Sequence, residues 1–167
     1  VIGPLGLLAK AINDGNYAKN QITSFYLAQE GLELVIGQKN ENFEKIRGGV
    51  LDKSEWLNGL ERCQGNSGCA IGANTDGGIQ TDNCSLNILE SCRLYIENIE
   101  TDPFYTHRKE ATPLPSLFER FVQIESEGDD NAIVTATVVW SNQTKRQEFR
   151  LSTTIANSVI ANDGVNL

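Results

Sequence analysis

The feature that constrains this chain most is a helical pattern near its start, over residues 5–36. Small and apolar side chains recur at Ala11, Gly15, Ala18, Ile22, Phe25, Leu32 and Ile36, in steps of three and four broken only at Gln29. That spacing holds one face of an α-helix. At 1.5 Å per residue such a helix is roughly 48 Å long, more than the diameter of a small domain. Part of it must project from the body or pack against something outside it. Lys10, Asn13, Asp14, Asn16, Lys19, Asn20 and Gln21 make a polar face on the first half, whereas apolar character widens after Ile22. The second half is therefore expected under a sheet and the first half free, with Gly37 as the C-cap.

The sheet is predicted in the last third. Arg120 to Glu125 is followed by a polar turn at Ser126-Glu127-Gly128-Asp129-Asp130, and Ala132 to Trp140 is rich in Val and Thr, with Ile133, Thr135, Thr137 and Val139 alternating against Val134, Ala136, Val138 and Trp140. Ser141-Asn142-Gln143-Thr144 makes a second turn. Beyond it Phe149, Leu151, Thr153 and Ile155 alternate with Glu148, Arg150, Ser152 and Thr154, a strand with one wet face. Three strands with short turns form an antiparallel meander, the most apolar in the middle. A long helix followed by such a meander is an α+β layout. The division expected is a helix over residues 1–37 and a head over residues 38–167. Within the head, residues 50–115 form a disulfide-rich loop region and residues 117–156 the sheet. Residues 50–62 hold a short helix capped by Asp52 or Ser54, residues 92–96 a short strand, and residues 101–115, with three prolines, a loop.

Cys63, Cys69, Cys84 and Cys92 are spaced C-x5-C and C-x7-C, and neither spacing is the two-to-four-residue one of a zinc ribbon. An even count in a Gly/Asn/Ser-rich segment favours two disulfides and an oxidising compartment. Sequential pairing, 63–69 with 84–92, comes first; nested pairing, 63–92 with 69–84, is the alternative, and four free thiols the third.

Lys and Arg number 14 against 22 Asp and Glu, a net charge of −8, which lacks the clustered cations that nucleic-acid phosphates require. The opening eight residues, Val1 to Leu8, carry no polar side chain and read as the cut end of a longer hydrophobic segment. A mature end left by a signal peptidase is the alternative. Gly3-Pro4 opens the helix or kinks it.

No catalytic constellation is found. His107 is the sole histidine and sits in the proline-rich stretch without a nucleophile beside it. No phosphate loop, dinucleotide fingerprint or nucleophile elbow is present, and no cofactor is expected. Glu30 and Glu33 read as solvated charges or partners of a Lys or Arg in the body or a neighbouring subunit. Asp76 and Asp82, with Asn74 and the Gly77-Gly78 carbonyls, are weak Ca²⁺ candidates whose spacing does not fit an EF-hand loop. Trp140 is expected to pack on the sheet or helix, and Trp56 to pin the disulfide loop.

The arrangement resembles the type IV pilin family, specifically minor pilins of the PilV-like group. Gly3-Pro4-Leu5 is similar to the point where a pilin's hydrophobic helix meets its kinking proline. Phe25-Tyr26-Leu27-Ala28-Gln29-Glu30-Gly31-Leu32-Glu33 resembles the F-x-LAQEG-(I/L)-E segment later in that helix. Phe118-Glu119-Arg120 and the stretch from Val134 to Trp140 are similar to the family's strands. The resemblance implies a structural subunit, not an enzyme, whose leader is cleaved and whose new N-terminus is methylated by a prepilin peptidase. It implies an inner-membrane anchor before assembly and then a place in an extracellular filament, with other pilin subunits as partners. The assembly face of the helix would be Ala11, Gly15, Ala18 and Ile22, small enough for close helix approach. Two further readings remain: a pseudopilin of a type II secretion system, and a secreted or tip-located adhesin-like module that binds a surface ligand.

Overall fold

The computed structural model describes residues 3–66, 68–74, 78–85, 91–97, 104–107, 114–142 and 145–157. One helix, α1 (Pro4–Arg47), is followed by two short 3₁₀ turns, Lys53–Glu55 and Glu61–Cys63, and then by seven strands. The strands are β1 (Cys69–Ala73), β2 (Ile79–Asn83), β3 (Arg93–Glu97), β4 (Phe104–Thr106), β5 (Leu114–Glu127), β6 (Asn131–Asn142) and β7 (Lys145–Ala156).

β5, β6 and β7 form the expected meander, with β6 in the middle. β5 is the hub of the larger sheet. Its second edge is shared between β3, which pairs near Leu114 to Glu119, and β1, which pairs at Val122. β4 extends the sheet beyond β3, and β2 beyond β1, every strand pair being antiparallel. The short strand expected over residues 92–96 is β3, whereas the β1–β2 hairpin and β4 add strands to the region expected to be disulfide-rich loop, which corrects the sequence-based division. The two runs are only five residues each, and Asn and Gly around them mimic loop composition. β4 and the start of β5 also lie inside the stretch expected as a loop.

The helix needs a larger correction. It does not stop at Gly37 but runs to Arg47, so at 1.5 Å per residue it is roughly 66 Å long. The stop is a Schellman motif: Val50 N–H donates to the Lys45 carbonyl and Gly49 N–H to the Ile46 carbonyl, with Gly49 at φ 72°. Polar residues beyond 37 stay helical because they are used inside. Asn42 is fully buried and donates from Nδ2 to the carbonyls of Trp56 (3.2 Å) and Asn58 (2.8 Å). Gln38 in turn donates to Asn42 Oδ1 at 3.0 Å. These bonds fasten residues 56–58 to the helix. The short helix expected over residues 50–62 is instead the pair of 3₁₀ turns, the first with Asp52 at its N-cap and Glu55 Oε2 accepting the Asp52 N–H.

The core lies between α1 and the sheet. Leu27, Ala28, Leu32 and Val35 meet Val122, Ile124, Val134, Ala136 and Val138, with Leu57 and Leu60 closing one end. Contact is close at Gly31, where a Cβ would lie 3.2 Å from Arg120 Cδ and 3.3 Å from Val122 Cγ2. The disulfides are Cys63–Cys69 and Cys84–Cys92, the sequential pairing. The first sits in the main core, the second in a smaller cluster with Ala70 and Phe121.

Candidate functional site

α1 divides into a half that leaves the body and a half that the sheet covers. Every residue from 6 to 19 is solvent-exposed. In the covered half the buried positions are Ser24, Leu27, Ala28, Gly31, Val35, Gln38 and Asn42, with Leu32 at the margin. At 3.6 residues per turn, Ala11, Gly15, Ala18 and Ile22 point roughly 160° away from that direction. Ile22 is 60% exposed, and Leu7, Leu8 and Ile12 are exposed as well. The stripe read from the sequence is therefore not the face that the sheet buries. Of its later members, Phe25 stays exposed beside Phe149, Ile36 is half-buried, and only Leu32 is buried. The helix is apolar on two opposite sides over residues 22–36, and the small side chains of Ala28 and Gly31 decide which side approaches the sheet. Below residue 20 the side continuous with the sheet contact is mostly polar (Lys10, Asn13 and Asn20), with Tyr17 resting against Trp140. The bare half thus offers its apolar stripe away from its own body.

The covered half is held by a polar node that the sequence reading missed. Arg120 projects from the dry face of β5 and is fully buried. Its Nη1 donates to the Leu27 carbonyl (3.0 Å) and to Glu30 Oε2 (2.9 Å), and its Nη2 donates to the Ile71 carbonyl (2.8 Å). One guanidinium so joins helix, β1 and β5, the planar fork suiting three acceptors in different directions. Burial draws its pKa below the usual arginine value, and the Glu30 carboxylate opposes that shift. A signal was present: Phe118, Arg120, Val122 and Ile124 alternate, which places Arg120 among the inward-facing residues.

His107, at the end of β4, donates from Nδ1 to the Arg93 carbonyl at 3.2 Å, which fixes the tautomer and leaves Nε2 as a buried lone pair. Its pKa is lowered to about 3, first by burial and then by the charge of Arg120, against a smaller upward effect of the Arg93 bond. It is neutral at physiological pH. Arg120 Nε is likewise buried without a partner among the described residues, a donor matching the acceptor on His107.

Of the remaining candidates, Glu30 meets Arg120 of the body, and Glu33 accepts a bond from Gln29 at 2.9 Å on the exposed surface. Asp82 is paired with Arg62 at 3.4 Å and accepts from Gln80, while Asp76 lies outside the described residues. The described residues hold no group of three ligating side chains suited to a metal ion. Trp140 and Trp56 are both core residues. No helix among the described residues is long and apolar enough to cross a membrane. No family model, curated protein or solved structure matches this chain.

Proposed function

We propose that this chain is a pilin-type structural subunit: it enters a filament through the bare half of α1 and presents the sheet-based head at the filament surface. One observation carries the reading. A helix that stays exposed through residues 6–19 turns its small and apolar stripe away from its own sheet, so none of the described residues of the head covers it. Isolated helices of that length are marginal in water, and a bundle of like helices supplies the missing packing. Ala11, Gly15 and Ala18 set the approach distance, and Leu8, Ile12 and Ile22 supply apolar contact. On this reading the subunit belongs to the cell envelope and is held at the inner membrane until assembly. Two disulfides suit a head exposed to an oxidising medium.

The test places a photo-crosslinking side chain at position 18 of the full-length protein, in the cells that produce it, and shears filaments from their surface. Crosslinks to other subunits in the sheared fraction, lost together with recovery of the chain when Gly15 is replaced by Leu, are the expected outcome. Release of the chain as an uncrosslinked monomer, unchanged by Gly15→Leu, sinks the proposal.

A further inference from the structure

A cleft of about 450 Å³ lies on one flank of α1, walled by Thr23, Tyr26 and Leu27 on the helix and by residues of β1 and β4 on the other side. That volume is in the range of small-molecule sites, roughly 300–1,000 Å³. We propose that this cleft binds an organic cation of the substituted-ammonium type, with Glu30 as its counter-charge and the Tyr26 and Phe104 rings as its walls. The inference goes beyond the filament reading and does not rest on it.

Three features select that chemistry. First, Tyr26 and Phe104 are large aromatics left 64% and 43% exposed at the cleft. Aromatic faces attract cations that shed water easily, quaternary ammonium ions above all. Second, Glu30 is held in place from below. Arg120 is buried and fastens Oε2, so the carboxylate is fixed in the cleft wall, while Oε1 has no hydrogen-bond partner among the described residues. Third, the charged side chains that line this flank among the described residues are all carboxylates. A second cleft of about 330 Å³ adjoins the first, sharing Glu30 and Ala73, and Glu33 and Glu41 line it, Glu41 paired with Lys45; among the described residues neither cleft is lined by Lys or Arg. Arg120 offsets Glu30 from beneath, and Glu33 leaves the groove net negative. A compact metal ion does not fit: the wall is mostly apolar, and the described residues hold no group of three ligating side chains.

The probes are choline, lysine amide and the neutral choline isostere 3,3-dimethylbutanol, titrated into the 167-residue chain and followed by NMR shifts at Tyr26, Phe104 and Thr106. The expected result is saturable binding of choline, with the isostere at least about tenfold weaker and lysine amide also weaker, its ammonium being more strongly hydrated. Tyr26→Ala and Phe104→Ala each weaken binding severalfold; both rings are exposed, so unfolding is not expected to mask the result. Glu30→Gln abolishes it, read alongside a denaturation curve because the Arg120 pair is lost too. Equal binding of choline and its isostere, indifference to both ring deletions, or no saturation below about 10 mM overturns the assignment. The measurement uses unassembled protein, so its failure leaves the filament reading where it stands.

Discussion

The two halves of α1 share one backbone and differ in what lies against them. Around Gly31 the helix comes so close to β5 and β6 that an added Cβ meets Arg120 and Val122, whereas at Gly15 an added Cβ meets nothing within 4 Å. The covered half meets a buried arginine of β5 and carries two buried amides, Gln38 and Asn42; the bare half carries surface polars and an apolar stripe with no cover among the described residues. Identical secondary structure is therefore stabilised in two ways. One half is held by its own sheet, and the other is long helix left uncovered by the described residues. The difference teaches that periodicity reports that a face exists, not which body will cover it.

The sharpest way to break that comparison is at Arg120. Replacing it with Met removes three bonds from a charged donor and leaves the Ile71 carbonyl without that partner, while Glu30 remains partly exposed and hydrated. A loss of about 3 kcal/mol of unfolding free energy is expected, with the urea midpoint lowered and the slope unchanged. The matching change in the bare half, Lys19→Met, is expected to alter stability by less than about 0.5 kcal/mol. If the two variants unfold alike, the node does not hold the helix.

Next come the glycines. Gly31→Val forces Arg120 Cδ and Val122 Cγ2 to give way, an overpacking cost of about 2 kcal/mol. Gly15→Val meets open space and should leave the thermal midpoint of the unassembled chain nearly unchanged. Equal destabilisation at both positions would mean that the bare half is covered after all.

The polar node also makes stability depend on pH. His107 has a folded value of about 3 against an ordinary 6.5, so between those limits the unfolded chain binds more protons than the native one. This contribution is fully present above pH 6.5, is lost as pH falls through that window, and changes no further below pH 3. Between pH 7 and pH 5.5 the loss is about 1 kcal/mol, and His107→Gln should remove it when the two proteins are unfolded side by side. An unchanged pH slope in the variant would place the proton uptake elsewhere.

What the sequence made legible follows physical range. The meander was readable because Phe149, Leu151, Thr153 and Ile155 alternate within one strand, and local alternation is enough for a half-buried sheet. The pairing of Cys63 with Cys69 was ranked first among three open choices, and it lies across a separation of only six residues. The role of Arg120 was not read, although its strand position pointed inward, because its acceptors are Leu27 and Ile71, distant in sequence. The burial of Asn42 was hidden for the same reason: its partners are carbonyls of residues 56 and 58, which no periodicity names. The β1–β2 hairpin was missed because its strands are short and their flanks rich in turn residues.

The end of the helix is the instructive failure, and the smallest prediction tests it. Gly37 followed by a polar run imitates a C-cap, yet Lys45 and Arg47 followed by Gly48-Gly49 carry the better stop signal: cations in the last turn, then a glycine at positive φ. A true cap at Gly37 would need that left-handed conformation, and Ala there would be costly. In the interior of a helix, facing solvent with nothing within 4 Å of an added Cβ, Ala is instead the better residue by just under about 1 kcal/mol. Gly37→Ala should therefore raise the urea midpoint slightly, whereas Gly49→Ala should lower it, since the φ of 72° there disfavours any Cβ. The opposite pair of signs would return the helix end to residue 37 and detach Gln38 and Asn42 from the turn they fasten.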